Sequence, residues 1–163
     1  MSFLCLGIET SCDETAASVV GDGVKVFSSV VSSQLVHAVY GGVVPELAAR
    51  AHIRTIVPVV REAMAKAGVN FEDLHLVAVT HAPGLLGALL VGLPFAKAVS
   101  FGLGIPFVGV NHLEGHIFAL RLEYPSLEPP YLGVVLSGGH TELLIVHDWC
   151  KYEVLGSTVD DAC

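Results

Sequence analysis

Apolar and small residues run without interruption from Leu4 to Ile8, Glu9 closes the run, and the polar stretch Thr10-Ser11-Cys12-Asp13-Glu14 follows. This pattern predicts a short strand ending in a turn. Thr15 to Val20 predicts a second strand, Gly21-Asp22-Gly23 a tight hairpin turn and Val24 to Ser32 a third strand, so the chain opens as three consecutive antiparallel strands. After a loop over Gln34 to Gly42, Pro45 suits the first turn of a helix. Ile53, Val57, Val60 and Met64 recur in it at spacings of four, three and four and mark one apolar face. Pro58 is expected to kink or divide that helix, and Gly68 to end it.

Leu76 to Thr80 predicts a fourth strand, reached through a helical crossover and therefore parallel to its neighbour. Gly87 to Phe101 reads as a helix that is apolar on nearly every side, as one sandwiched between layers would be. The whole tract from Ala82 to Val110 is long enough for a membrane span, but Pro83, Pro94, Pro106, Lys97 and repeated glycines favour a buried helix followed by a buried strand. Phe107 to Val110 is that strand, and a helix follows it to about Leu122. Pro125, Pro129 and Pro130 then mark a boundary.

Beyond the boundary the opening pattern returns. Tyr131 to Leu136 matches Leu4 to Glu9, Ser137-Gly138-Gly139-His140 matches the first turn, Thr141 to Val146 matches the second strand and Tyr152 to Ser157 the third. Two halves that each begin with three antiparallel strands and continue with parallel strands and helices describe an α/β, ribonuclease-H-like duplicated fold, the architecture of actin, sugar kinases and Hsp70 ATPases. Residues 1–124 are expected to form the first domain, with the histidine helix, and 130–163 the first three strands of the second. A sheet cut after its third strand has no helices to cover it, so the sequence is expected to be the front part of a longer protein.

Charged residues make up only 15% of the 163, while 53% are apolar, which implies that part of the surface is covered by something outside this sequence. The formal charge of −8 supplies none of the cation density that phosphate contacts require, so a nucleic-acid partner would be held mainly by other chains or segments. Cys5, Cys12, Cys150 and Cys163 form no CxxC pair and read as free thiols of a reducing cytosol. No basic segment precedes the first apolar residues, which argues against a signal peptide and for a cytoplasmic protein with no membrane partner.

The strongest chemical signal is Asn111-His112-Leu113-Glu114-Gly115-His116 after the fifth strand. On a helix His112 and His116 share one face and could hold one divalent ion, and ligands in open α/β sheets gather at such strand ends. Two ordinary surface histidines are the bland alternative. Two imidazoles also leave a site short of ligands, so a carboxylate or further histidine must come from elsewhere. A zinc peptidase is disfavoured on register, because that motif needs Glu directly after the first His, whereas Glu114 sits two residues on, about 200° round the helix.

Ser137-Gly138-Gly139-His140-Thr141 offers hydroxyls and close-approach glycines for an anion, although a plain hairpin turn fits it equally well by itself. Its pairing with the first turn, where Asp13 and Glu14 could orient a cation or water, strengthens a nucleotide reading. Asp160 and Asp161 share the ambiguity between ligand and solvated turn. Gly84, Gly87 and Gly92 suit close helix packing at least as well as ligand contact. His37, His52, His75 and His81 receive no role.

Together, Gly7-Ile8-Glu9-Thr10-Ser11-Cys12-Asp13-Glu14-Thr15, Gly41-Gly42-Val43-Val44-Pro45-Glu46, the Asn111 to His116 block, Ser137 to Thr141 and Gly156-Ser157-Thr158-Val159-Asp160-Asp161-Ala162 resemble the bacterial TsaD family along the whole sequence. The resemblance implies transfer of a threonylcarbamoyl group from threonylcarbamoyl-AMP to N6 of adenosine 37 in transfer RNAs reading ANN codons. It implies a divalent metal, Fe²⁺ or Zn²⁺, on His112 and His116, with a third ligand from a late aspartate that this chain lacks. It places the adenylate, or an ATP-like nucleotide, at Ser137, Gly138 and Gly139, and the reading of the two turns adds His140, Thr141, Asp13 and Glu14 to that site. It implies a TsaB-like heterodimer partner, a TsaE-like ATPase and transfer RNA. The chain alone is expected to be inactive and to self-associate through uncovered strands. An ATP-dependent small-molecule kinase of the same fold and a non-catalytic partner module are the competing readings, and neither needs the paired histidines.

Overall fold

The computed structural model describes residues 2–136 and 141–159. Strand β1, Leu4–Glu9, buries Leu4, Leu6 and Ile8 and turns Cys5, Gly7 and Glu9 to the other side, as the two-residue period of a strand dictates. β2 (Glu14–Gly21) and β3 (Lys25–Ser33) follow antiparallel. The connection between them turns through Asp22 and Gly23, whose φ values of 52° and 76° lie in the region that aspartate and glycine tolerate best. Helix α1 (Pro45–Ala67) carries the chain across to β4 (Leu76–Ala82), which pairs with β1 in parallel. Helix α2 (Leu86–Leu103) leads to β5 (Phe107–Asn111), parallel to β4, and completes a five-stranded sheet of order β3-β2-β1-β4-β5. Helix α3 (His112–Glu123) follows. A second, antiparallel sheet runs β6 (Tyr131–Leu136), β7 (Thr141–Asp148) and β8 (Lys151–Ser157). The expected order of strands, crossovers and pairing directions is therefore present throughout the described residues.

The chain divides into two compact units, Met1–His112 and Leu113–Cys163. In the first, α1 and α2 pack on one another, α1 over β2 and β3 and α2 over β4, so both helices cover one face of the sheet. Leu6, Val19, Val60 and Val77 lie fully buried between them. In the second, Leu144 and Val146 of β7 and Ile117 of α3 make a small core, with Tyr131, Val135 and Tyr152 packed around it.

Two helical expectations change. α1 meets the sheet through Ala48, His52, Ile56, Val59, Val60, Ala63 and Met64, while Ile53 is 64% and Val57 41% exposed. The large apolar residues suggested a stripe rotated from the true one, because two alanines and a histidine supply part of the contact line and let the helix approach closely. Pro58 does not divide α1: Pro58 and Arg54, whose carbonyl loses its donor, lie on the exposed side where water can take the missing bond. α2 is not sandwiched among the described residues. It buries Ala88, Leu89, Gly92, Ala96 and Ser100 and leaves Leu86 73%, Leu90 57% and Phe101 91% exposed. By length and composition α2 could cross a bilayer, and its buried stripe packs on β4 and α1.

Val60→Ala is expected to cost about 2–3 kcal/mol in chemical denaturation, because it opens a cavity beneath α1, and Ile53→Ala less than about 0.5 kcal/mol. Equal losses at the two positions would return the buried face to the one first expected.

Candidate active site at the strand ends

β1, β4 and β5 run in the same direction, so their carboxyl ends gather Glu9 to Ser11, Thr80 to Ala82 and Asn111 with His112 in the first unit. Glu9 lies on the sheet face away from α1 and α2, its side chain 31% exposed. Its Oε1 accepts the Ser11 amide, and its Oε2 accepts the Thr80 hydroxyl at 2.5 Å. The same Oε2 is 3.1 Å from His112 Nδ1, and Ser11 Oγ is 3.2 Å from that nitrogen. Burial pushes the Glu9 carboxyl up, but the hydrogen bonds from His112, Ser11 and Thr80 together outweigh it and lower it from an ordinary 4.5 to about 2. The Glu9 hydrogen bond raises the His112 pKa against the opposing effect of burial.

The turn after β1 is fixed from two further sides. Thr10 is fully buried and donates to the Ala88 carbonyl at 3.0 Å, and the Leu85 amide donates to the Ser11 carbonyl at 2.8 Å. A side chain at Gly92 would collide with Thr10 Oγ1, and one at Gly84 would come within 2.6 Å of the Ser11 carbonyl oxygen. These two glycines therefore serve close packing of the start of α2 against the turn. From α1, fully buried His52 donates through Nε2 to the Cys12 carbonyl at 3.0 Å. Its Nδ1 accepts the Thr15 hydroxyl at 2.8 Å, and Thr15 lies 2.7 Å from the Thr55 hydroxyl.

His112 is the first residue of α3 and His116 belongs to its next turn. The division between the units falls directly after His112, and each histidine is described within its own unit. Among the described residues no three His, Cys, Asp or Glu side chains gather in a metal-binding group. Asp13 lies in the turn, half-buried, and Glu14 opens β2 exposed, its Oε1 accepting the Ser33 hydroxyl at 2.7 Å. Thr141 begins β7, where its carbonyl accepts the Thr158 amide at 2.9 Å. Ser137, Gly138, Gly139 and His140 of the expected nucleotide loop lie outside the described residues, as do Asp160 and Asp161. Cys5, Cys12 and Cys150 are free thiols.

A family model described as TsaD, tRNA N6-adenosine threonylcarbamoyltransferase, matches residues 25–163. The chain belongs to the TsaD family. A curated relative from Pelobacter propionicus named tRNA N6-adenosine threonylcarbamoyltransferase is 59% identical over 98% of this chain and 47% of its own length. One of the same name from Clostridioides difficile is 53% identical over 98% and 47%. The chain thus spans about half the length of the curated relatives it matches. Among solved structures, YeaZ from Pseudomonas aeruginosa aligns with a TM-score of 0.60 at 16% identity, over 98% of this chain and 68% of that one. This likeness shows the fold, the ribonuclease-H-like architecture shared with actin.

Reading the TsaD chain as a sequence gave His112 a role but gave none to Glu9 and Ser11, which it quoted only within the first motif, to Thr80, or to His52 behind the turn. Glu9 left one trace, a carboxylate at the end of an otherwise apolar strand. Thr80 left none, because its role depends on the β1–β4 register.

The Glu9 pKa falls on folding, so its contribution to stability is complete above the ordinary glutamate value and is lost as pH drops toward about 2. His112, with its pKa raised, contributes below the ordinary histidine value and loses that share as pH rises through the folded one. Urea midpoints should decline between about pH 5 and 2 and do so less steeply in Glu9→Gln. An unchanged acid limb in that variant would contradict the assignment.

Proposed function

We propose that this chain serves transfer of the threonylcarbamoyl group of threonylcarbamoyl-AMP to N6 of adenosine 37 in transfer RNAs that read ANN codons. TsaD membership, with 59% identity to a named transferase across 98% of the chain, carries the reading. The substrate is a mixed anhydride whose carbamoyl carbon is already activated. N6 attacks that carbon, the bond to the phosphate oxygen breaks, the leaving AMP takes the electron pair, and N6 gives up one proton. The protein's share is to hold the two reactants in contact, to balance charge on the leaving phosphate and to keep water away.

His112 and His116, four residues apart in α3, would hold a divalent ion, Fe²⁺ or Zn²⁺, with a ligand from outside this chain. Their donor chemistry fits, since imidazole suits both metals and His112 meets a carboxylate through Nδ1, the arrangement that ligating histidines favour. When bound, the ion supplies Lewis-acid stabilisation of oxygen charge. The loop Ser137, Gly138, Gly139, His140 and Thr141, with Asp13 and Glu14, would contact the adenylate. Asp13 ends, and Glu14 directly follows, a turn anchored from α1 and α2, which supports a rigid wall at that place.

A formal charge of −8 gives transfer RNA little to bind, so its grip would come from partners or further sequence. The likeness to YeaZ supports a TsaB-like partner of related fold. Ile53 and Val57 of α1 with Leu86 and Leu90 of α2 offer exposed apolar surface for such a protein. A TsaE-like ATPase would complete the set in the cytoplasm.

With partners, transfer RNA and threonylcarbamoyl-AMP supplied, the chain alone should give little or no modified adenosine. A chimera completed with the remaining portion of the Pelobacter relative should turn over, and His112→Ala in it should lower the rate by about 100-fold or more. A chimera that modifies no transfer RNA, or one indifferent to His112, would refute the reading. The isolated chain should also self-associate through the edges of the β6–β8 sheet, which pair with no further strand among the described residues and where Val154 and Leu155 are exposed. A monomeric mass independent of concentration in analytical ultracentrifugation would count against that.

A further inference from the structure

Donors on both oxygens favour the ionised form of a carboxyl group, and that form has no proton to give. Glu9 takes the Ser11 amide on Oε1 and the Thr80 hydroxyl on Oε2, and that second oxygen sits 3.1 Å from His112 Nδ1. An unprotonated Nδ1 at this separation would set lone pair against lone pair, so the ring nitrogen carries the proton and donates it. Ser11 Oγ, 3.2 Å from the same nitrogen, can share that proton as a second acceptor. The neutral ring then has its basic lone pair on Nε2.

We infer that Glu9 is a positioning residue for His112: clamped by the Ser11 amide and the Thr80 hydroxyl, its carboxylate holds the Nδ1 edge of the ring and makes Nε2 the nitrogen presented to a metal. The inference rests on the reading of His112 as a metal ligand. Packing alone does not account for a carboxylate here, because burying one costs free energy that only its several donors offset, and an apolar side chain would carry no such cost. The clamp is also built from separate parts of the fold. Thr80 comes from β4, the Ser11 amide from the turn after β1, and the imidazole from the first residue of α3, directly after β5. Such a carboxylate fixes both the tautomer and the orientation of the ring, and losing it lowers metal affinity by about 10–100-fold in comparable sites.

The tautomer is readable without any metal. Long-range ¹H–¹⁵N correlation on the histidine-labelled chain, at a pH where the ring is neutral, should show the Nδ1–H form at His112 and a shift toward Nε2–H in Glu9→Gln. Thr80→Val, which removes the clamp but leaves Glu9 in place, should move it the same way by a smaller amount and guards against a Glu9 variant that fails to fold. In the completed protein, Zn²⁺ competition against a chromophoric chelator should show about 10–100-fold weaker binding for Glu9→Gln. A His112 tautomer unmoved in both variants overturns the inference whatever the metal data show. So does wild-type Zn²⁺ affinity in Glu9→Gln when His112→Ala has lost it, and that result leaves the metal reading standing. Zn²⁺ affinity indifferent to His112→Ala defeats the metal reading, and with it the metal part of this inference, while the tautomer measurement still decides whether Glu9 sets the ring.

Discussion

The central strand of the first sheet is paired on both sides, antiparallel to β2 and parallel to β4, and every residue along it must therefore face one of two layers. Leu4, Leu6 and Ile8 take the helical side and Glu9, three positions past Leu6, is left on the other. A slip of one residue would bury the carboxylate under α1 and α2 and bring the leucines out. Hydrophobic burial beneath the helices thus decides where the one acid of β1 stands, and the hydrogen-bond cluster at the strand ends follows from a packing constraint.

What surrounds that acid is stiff. Thr10 is tied to α2, the Cys12 carbonyl to His52 of α1, and Gly84 and Gly92 let the start of α2 press against the turn with no side chain between. A turn held from two helices loses little freedom when a ligand arrives. The same network satisfies a fully buried histidine, His52, through both ring nitrogens.

Scarcity of charge and abundance of exposed apolar side chains have a common source in this fold. Helices cover one face of the first sheet, and their outward sides keep Ile53, Leu86, Leu90 and Phe101 in contact with solvent. The second sheet likewise exposes Leu132, Val134 and Leu136 at alternate positions along β6. Surface of this kind is stable in water only at a cost, and the TsaD chain spans only about half the length of its curated relatives.

Element order, strand direction and the boundaries of β1, β6 and the histidine helix were legible along the chain, because alternation, crossover length and the positions of proline and glycine are local properties. His112 and His116 were legible for the same reason, a spacing of four needing only a helix. The face that α1 buries was not, since alanines and a histidine carry too little hydrophobic signal to outvote Ile53 and Val57. Nor was the Glu9, Thr80 and His112 cluster. Those residues stand 71 and 103 positions apart, and only the parallel pairing of β1, β4 and β5 sets their side chains together at the strand ends. Sequence by itself determined which segments are strands and helices and which histidines share a turn. Tertiary structure alone decided which acid meets which imidazole, because hydrogen bonds between distant residues exist only once register and burial have been chosen.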